Sequence, residues 1–235
     1  MTWWYAVVEG RHELQNPTSP EKIQRLGETL ALGPGSRVLD VASGRGGPAL
    51  LLAGASGCRI TCVERAPEFV AAARERVGTA GLQDLIEVVE ADASAVDYER
   101  SAYDAALCLG ATFVFGGLTE TVAALRPAVR PRGFVAVGEP YLRSEAPFEE
   151  FLPLAETVER FAAAGVEPVR LIASSEDDWD RYETLHWLAL DEWLVANPAH
   201  PQAEEFREEG RRRRDEYLRR QRRLLGWAIF VGRLP

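Results

Sequence analysis

The chain has few cysteines, no long hydrophobic run and no excess of positive charge, and each absence excludes a class of protein. Its 235 residues include only Cys58, Cys62 and Cys108 as cysteines, without a C-x-x-C pair, so they form neither a disulfide framework nor a zinc motif. No apolar stretch approaches the roughly 20 residues that span a bilayer. The net charge of −9 disfavours general binding to nucleic acids or to anionic membranes.

The N-terminus, Met1-Thr2-Trp3-Trp4-Tyr5, lacks the basic start and the long apolar stretch of a signal peptide, so we expect a cytoplasmic protein. Hydrophobic residues make up 46% of the chain and charged residues 27%, as in a typical globular protein. Neither an internal repeat nor a low-complexity linker divides the sequence. These features predict a single domain over residues 1–235, with no metal site.

The most informative segment is Val38-Leu39-Asp40-Val41-Ala42-Ser43-Gly44-Arg45-Gly46-Gly47, which predicts a strand, a tight loop and the start of a helix. Glycines let the backbone of such a loop pass close to a ligand, and the following helix offers free N–H groups. Asp40 ends the strand, so we expect its carboxylate to point into a cleft above the sheet. The segment predicts a site for a nucleotide-like cofactor.

Helices and strands alternate from about residue 18 to residue 140, which predicts an α/β fold with a parallel, doubly wound sheet. The expected strands are Arg37–Asp40, Arg59–Glu64, Ile86–Glu90, Tyr103–Leu107 and Phe134–Gly138. The expected helices are at about 20–32, Pro48–Ala53, 67–78 and Leu118–Leu125. Ligands of such sheets bind beyond the carboxyl ends of the strands.

The pattern changes after the fifth strand. The expected elements are a helical segment at Pro147–Ala164 interrupted at Pro153, a strand at Val166–Ala173, helices at Glu176–Ala196 and about Gln202–Leu225, and a strand at Trp227–Val231. We divide the domain into an N-terminal segment with its helix (1–33), a cofactor-binding core with strand six (34–175), a helical insert (176–225) and a final strand (226–235). The insert is expected to cover a substrate.

The glycine spacing alone leaves two cofactors open. Gly44-x-Gly46-x-x-Ala49, with Glu64 twenty residues after Gly44, fits a dinucleotide fingerprint. The carboxylate of Asp40, however, would repel a pyrophosphate and attract a ligand with an ammonium and a sulfonium group. Asp92 adds an acceptor suited to the adenine amino group. Structural alternatives are a helix-capping Asp40 and solvated carboxylates at Glu64 and Asp92.

At this point the sequence resembles class I S-adenosylmethionine-dependent methyltransferases over nearly its whole length. The segments that carry this resemblance are Val38–Gly46, Ile60–Glu64, Glu90–Ala93, Tyr103–Cys108 and Arg130–Phe134. A group of uncharacterised bacterial predicted methyltransferases is similar at Gln15–Pro17, Cys108–Gly117, Gly138–Tyr141, Trp179–Glu183 and Gly226–Trp227. The resemblance implies a seven-stranded, mostly parallel Rossmann-like sheet with an antiparallel last strand and a helical insert between strands six and seven.

The resemblance also implies S-adenosyl-L-methionine as the cofactor. The residues implied at the cofactor are Asp40, Ala42, Ser43, Gly44 and Gly46 at the methionine moiety, Glu64 at the ribose, Arg65, Asp92 and Ala93 at the adenine, and Leu109 and Gly110 after strand four. Arg45 departs from the family pattern, and we expect it to point outward or to pair with an acid.

The implied reaction is methyl transfer to a small-molecule acceptor by in-line displacement, driven mainly by proximity. The candidate acid–base residues are Glu139 and His12, and the candidate substrate residues are Tyr141, Trp179, Tyr182 and His186. Two alternatives remain: a nicotinamide-dependent oxidoreductase, and a protein that binds the adenosyl cofactor without transferring a methyl group.

Arginines are concentrated in the last predicted helix, in the stretch 211–223. Acids four residues away predict a solvated helix with i,i+4 ion pairs. The alternative is a surface for RNA or another acidic partner, whose binding would weaken steeply with salt.

Overall fold

A computed structural model describes residues 2–143 and 151–235. In these residues the strands are β1 Arg37–Val41, β2 Arg59–Glu64, β3 Ile86–Glu90, β4 Tyr103–Leu109, β5 Val129–Leu142, β6 Glu167–Ala173 and β7 Leu225–Arg233. The helices are α1 Thr2–Val8, α2 Pro20–Thr29, α3 Gly47–Ser56, α4 Pro67–Thr79, α5 Leu118–Leu125, α6 Leu154–Ala163, α7 Glu176–Ala196, α8 Ala203–Glu216 and α9 Arg222–Leu224.

The strands form one sheet in the order β3-β2-β1-β4-β5-β7-β6. Neighbouring strands from β3 to β5 run parallel, whereas β7 is antiparallel to both β5 and β6. The strand order reverses between β1 and β4, so the loops after these two strands diverge and leave a crevice at the carboxyl edge. The predicted fold is confirmed: a doubly wound sheet with an antiparallel last strand and a helical insert before it.

Local sequence explains how the helices beside the crevice begin. Gly46 adopts a left-handed conformation, with φ of 71°, immediately before α3, and Pro48 lies in that helix's first turn. Ser175 caps α7 through a reciprocal capping box with Asp178. Ser19 caps α2 ahead of Pro20. These signals hold the helix starts on the side of the sheet where the strands end.

Helices cover both faces of the sheet, so the central strands are buried on both sides. Leu39 on β1, Ala106 on β4 and Val135 on β5 belong to one apolar cluster, and their strand neighbours belong to the other. A smaller cluster joins α1, α7 and α8 through Trp4, Leu190 and their neighbours. This third cluster fixes the N-terminal helix against the insert.

The largest errors in the predicted strand bounds are in β5 and β7, and β7 spans Leu225–Arg233 rather than Trp227–Val231. β5 spans Val129–Leu142 and is longer than predicted at both ends. It pairs with β4 from Val129 onward, across a register shift next to Tyr103, and it pairs with β7 as far as Leu142.

The last predicted helix, at about Gln202–Leu225, is confirmed as a helical stretch. It consists of α8, a π-helical turn at Tyr217–Gln221 and α9, and β7 begins at Leu225. The turn holds a fully buried Tyr217 whose hydroxyl donates to Asp180.

Several other elements differ from the predicted bounds by one to three residues at an end, such as β4, which ends at Leu109 rather than Leu107. Two further differences are at the chain's first helix and beyond strand five. Helix α1 was not predicted from the apolar N-terminus. Of the helical segment expected at Pro147–Ala164, residues 147–150 lie outside the described residues, and α6 begins after Pro153.

Candidate functional site

The carboxylate of Asp40 lies at the centre of the crevice, near the end of β1. It is 2% exposed, and its Oδ2 atom has no hydrogen-bond partner. Burial, together with the nearby charge of Glu64, raises the pKa of Asp40 to about 7. The hydroxyl of the buried Ser43 also has no hydrogen-bond partner. Because buried polar atoms are nearly always paired in folded proteins, these two oxygens point to a polar or cationic ligand.

Glu64, at the end of β2, fixes the glycine loop. Its Oε2 atom accepts from the N–H of Gly44 at 2.9 Å, and its Oε1 atom accepts from the N–H groups of Arg65 and Ala66 at 2.8 Å each. The side chain is buried, at 8% exposed. The Oε1 atom already accepts two hydrogen bonds, whereas Oε2 accepts only one, so Oε2 can also accept from a ligand hydroxyl.

Asp92 follows β3 and faces solvent more than the other two acids. Hydrogen bonds from the Ser94 hydroxyl and N–H, together with Arg65, hold the pKa of Asp92 below its usual value. The Arg65 guanidinium lies 3.5 Å from the Asp92 carboxylate. The neighbouring Ala93 is buried. This edge of the crevice therefore presents an accessible carboxylate whose charged form is favoured, which suits an amino-group donor.

Glu139 lies on β5, on the other side of β4. Its carboxylate accepts from the Thr112 hydroxyl at 2.7 Å, and burial raises its pKa in spite of that bond. Between Glu139 and Asp40 lies Cys108, whose thiol pKa is raised by burial and then by the charges of both acids. The structure thus brings the strand-end acids together around one crevice.

Residues 9–17, which we call the N-terminal strap, lie across the carboxyl edge of the sheet. The Gln15 side-chain oxygen accepts from the N–H of Arg45 at 2.5 Å, and Asn16 Nδ2 donates to the carbonyl of Leu109 at 2.8 Å. The Ser174 hydroxyl, beyond β6, donates to the carbonyl of Pro17. The strap therefore connects the loops after β1, β4 and β6.

The strap corrects the expectation for Arg45 and gives a second reason for the glycines, whose approach to a ligand stays a prediction. Arg45 neither points outward nor pairs with an acid: its guanidinium donates to the carbonyls of Glu9 and Gly10 at 2.7 and 2.6 Å. The glycines were expected to let the backbone approach a ligand. A Cβ at Gly44 would overlap the Gln15 side chain, and one at Gly47 would overlap the carbonyl of Glu13, so the strap itself requires glycine there.

Helix α7 meets the strap in a cluster of ionisable side chains. The cluster consists of Glu9, His12, Tyr182, Glu183 and His186, with ring centroids of the two histidines 4.5 Å apart. Burial and the neighbouring His186 lower the pKa of His12. Burial also opposes the charge of His186, but Glu183 and Glu9 outweigh it, so the pKa of His186 is raised. The surroundings thus shift the two imidazoles in opposite directions, His12 toward the neutral form and His186 toward the protonated form.

The other predicted substrate residues pack into the interior. Trp179 is 7% exposed and stacks on Tyr217, with ring centroids 6.4 Å apart. Tyr141 is 8% exposed and lies against Gly226 of β7. Packing accounts for both positions, so a contact of either residue with substrate stays a prediction.

The arginine-rich stretch follows the predicted ion-pair pattern. Glu209 pairs with Arg212 and Arg213 at 2.6 Å, and these arginines hold its pKa at about 2. Asp215 and Arg219 form a further i,i+4 pair. The predicted solvated helix is confirmed in these pairs, while binding of RNA to this surface stays an untested alternative.

Within the described residues, no group of three or more His, Cys, Asp or Glu side chains is arranged to hold a metal ion. The helices of the described ranges are all too short or too polar to cross a membrane. Sequence reasoning missed Glu9, Gln15 and Asn16 as individual site residues. The only signal for Gln15 and Asn16 was their place in a motif shared with the bacterial group.

Comparisons with known proteins agree with this geometry. A methyltransferase-domain family model matches residues 38–133. The uncharacterized protein YjhP of Escherichia coli K12 is 31% identical over 97% of this chain and 96% of its own.

Two solved structures match nearly the whole fold, and both are complexes with S-adenosyl-L-homocysteine. The SAM-dependent methyltransferase from Geobacter sulfurreducens is 32% identical, with a TM-score of 0.93 over 99% of this chain and 98% of that one. The one from Thiobacillus denitrificans is 30% identical, with a TM-score of 0.92 over 98% of each chain. These findings favour S-adenosylmethionine over the nicotinamide dinucleotide that the glycine spacing left open.

The side chains of the crevice fit that cofactor. The unpartnered oxygens of Asp40 and Ser43 suit an ammonium group, and the acceptors at Glu64 and Asp92 suit ribose hydroxyls and an adenine amino group. We conclude that the chain belongs to the S-adenosylmethionine-dependent methyltransferases and uses S-adenosylmethionine as its cofactor.

Proposed function

We propose that the enzyme transfers a methyl group to a small-molecule acceptor bound between the ends of β4 and β5, the N-terminal strap and α7. The observation that carries the cofactor side of the proposal is the buried carboxylate of Asp40, with an unpartnered oxygen, at the crevice between β1 and β4. A buried charge without a partner is costly, so the site is built to receive a cation. When bound, S-adenosylmethionine supplies the methyl group from its sulfonium sulfur.

We assign the cofactor contacts as follows. Asp40 would bind the ammonium group, with Ala42, Ser43, Gly44 and Gly46 around the methionine moiety. Glu64 would accept from the ribose hydroxyls. The remaining contacts would be Arg65, Asp92 and Ala93 at the adenine, and Leu109 and Gly110 beneath the cofactor after β4. Support comes from the position of all these residues at the carboxyl ends of neighbouring strands β1 to β4.

Truncation of Asp92 tests the adenine contact. Asp92→Ala is expected to weaken S-adenosylhomocysteine binding by about tenfold, because one hydrogen bond to a charged acceptor is lost. Glu90→Ala is the matched control, since Glu90 is an exposed acid at the end of the same strand. Calorimetric titration of both variants measures the difference. Equal affinities for the two variants would contradict the assignment of Asp92.

We assign the proton-accepting role to Glu139, with His12 as the second candidate. Glu139 is largely buried, accepts a hydrogen bond from Thr112 and has a raised pKa, which brings a carboxylate closer to the range of a general base. His12 is 3% exposed, its Nδ1 atom has no hydrogen-bond partner, and its lowered pKa keeps the imidazole neutral. Tyr182 and His186, from the acceptor-covering helix α7, would border the acceptor.

A screen with radiolabelled S-adenosylmethionine and fractionated metabolite extracts would identify the acceptor. The product must be heavier than the acceptor by one methyl group, about 14 Da. Binding of the cofactor without any labelled product across the fractions would favour the alternative of a different transfer reaction or a binding protein.

Once an acceptor is found, the pH profile of kcat tests Glu139. Activity should fall as the pH drops through the raised pKa, because the protonated carboxyl cannot accept a proton. Thr112→Val removes the hydrogen bond that lowers this pKa, so the acidic limb should move to higher pH. Glu139→Gln should reduce kcat by about 10²-fold or more. An unchanged profile in Thr112→Val, with a similar loss in His12→Gln, would instead assign the role to His12.

A further inference from the structure

The strap contacts both loops that border the crevice between β1 and β4. Gln15 accepts from the N–H of Arg45 after β1, and Asn16 donates to Leu109 at the end of β4. Gly44 and Gly110 have φ of 56° and 87°, and a Cβ at either would overlap the side-chain oxygen of Gln15 or Asn16. The two amides therefore lie directly on the loops assigned to the cofactor.

A separate observation indicates that the segment around the glycine loop binds a ligand. The oxygens of Asp40 and Ser43 that lack partners belong to the same strand-and-loop segment as Gly44. Their burial means that protein covers them from the solvent side. A ligand that meets them must therefore lie beneath a covering segment of the chain, and the strap contacts this loop at Arg45, two residues beyond Ser43.

The orientation of the Gln15 amide is set by one carboxylate. Gln15 Nε2 donates to Glu9 Oε2 at 2.5 Å, which directs its oxygen toward Arg45. The other oxygen of Glu9 accepts from the Tyr182 hydroxyl of α7 at 3.2 Å and lies 3.7 Å from His186 Nε2. A continuous set of polar contacts thus runs from the acceptor-covering helix, through Glu9, to the glycine loop.

We propose that Gln15 and Asn16 are cofactor-retaining residues, and that Glu9 is a positioning residue that makes cofactor retention depend on the acceptor-covering helix α7. The proposal rests on the cofactor identified above and on the proposed function, which places α7 over the acceptor. Glu9 connects the helix that covers the acceptor to the loops that hold the cofactor. Packing of α7 against the strap therefore slows the dissociation of the cofactor.

Exchange of the donor and acceptor between Gln15 and Glu9 tests the positioning role. Gln15→Glu keeps the acceptor for Arg45 but places two carboxylates together, and S-adenosylhomocysteine should bind about tenfold more weakly and dissociate faster. Adding Glu9→Gln lets residue 9 donate to residue 15 while its oxygen still accepts from Tyr182. This double variant should return to within about threefold of the wild-type Kd. Failure of this rescue would overturn the role of Glu9.

Two further variants test the strap and its link to α7. Asn16→Ala should weaken S-adenosylhomocysteine binding about fivefold, whereas Asn197→Ala, which removes a comparable amide-to-carbonyl bond at the end of α7, should not. Tyr182→Phe removes only the hydroxyl that donates to Glu9, and it should speed dissociation severalfold.

The outcomes separate the parts of the proposal. Wild-type affinity in both Gln15→Glu and Asn16→Ala would overturn retention by the strap. A wild-type dissociation rate in Tyr182→Phe would overturn the dependence on α7. If the wild-type protein itself failed to bind S-adenosylhomocysteine, the cofactor assignment would fail instead. Melting temperatures of the free variants show whether each variant remains folded at the temperature of the binding measurement.

Discussion

Replacement of Asp40 by asparagine is expected to weaken S-adenosylhomocysteine binding by about a hundredfold and yet to stabilise the free protein. The loss of affinity follows because the buried carboxylate is the assigned partner of the ligand's ammonium group, and removal of one member of a buried charge pair costs about 2–5 kcal/mol. The gain in stability follows because the free protein holds this carboxylate without a partner.

The sign of the stability change can be worked out from the pKa. Asp40 titrates at about 7 in the folded protein against an ordinary value of 3.8, so the folded state binds a proton more tightly than the unfolded state does. Its contribution to stability is complete below pH 3.8 and is lost as the pH rises to about 7. The loss is no more than about 4 kcal/mol above pH 7. The Asp40→Asn variant lacks this loss, so it should melt at a higher temperature than the wild type at pH 8.

Binding of the ligand should show the opposite dependence on pH. Below about pH 7 the ligand must displace the proton of Asp40, so the wild-type affinity should fall by up to tenfold per pH unit toward lower pH. Calorimetric titrations between about pH 5.5 and 8.5, on either side of this pKa, measure the slope. The Asp40→Asn variant should have a flat profile, and the exposed Asp191→Asn should match the wild type. A slope that persists in Asp40→Asn would contradict the assignment.

Glu64→Ala is expected to lower the melting temperature by about 10 °C, the largest loss of stability among the crevice acids. The substitution leaves the N–H groups of Gly44, Arg65 and Ala66 without this acceptor, in a buried position at Ala66 and in partly buried positions at the other two. Each unpaired group costs about 1–3 kcal/mol, and a chain of this size loses about 2–4 °C per kcal/mol. Glu64→Gln keeps one acceptor and should lose about half as much.

Scanning calorimetry of Glu64→Ala against Glu87→Ala checks this prediction, since Glu87 is an exposed acid on the neighbouring strand β3. Glu64→Ala should also bind S-adenosylhomocysteine weakly at temperatures where it remains folded, because its glycine loop and its ribose acceptor are both affected. A melting temperature equal to that of Glu87→Ala would show that water replaces the carboxylate at the three N–H groups.

The opposite signs expected at Asp40 and Glu64 arise from their hydrogen bonds. Both are buried acids at adjacent strand ends, but Glu64 has three protein donors, whereas Asp40 Oδ2 has none. Glu64 therefore stabilises the free protein, and Asp40 destabilises it until a cation is bound. Glu64 thus holds the glycine loop in place, whereas the main role of Asp40 is to bind the ligand.

Much of the fold could be predicted from the sequence because its signals are local. Continuous apolar runs such as Arg59–Glu64 and Ile86–Glu90 predicted strands with the observed bounds, and Leu118–Leu125 was predicted correctly as a helix. The boundaries that failed depend on distant partners. β5 is longer than predicted because β7 pairs with it as far as Leu142, and no local signal reports that pairing.

The sequence by itself determined the fold class, the order of the elements and the placement of acids at strand ends, because periodicity and turn residues act over a few positions. Only the tertiary structure decided what lies over those ends. His12 and His186 meet although they lie near opposite ends of the chain, and the strap meets the loops after β1 and β4. Such contacts depend on how whole elements pack. For this reason no local pattern predicts that Arg45 binds backbone carbonyls or that Gln15 lies on the glycine loop.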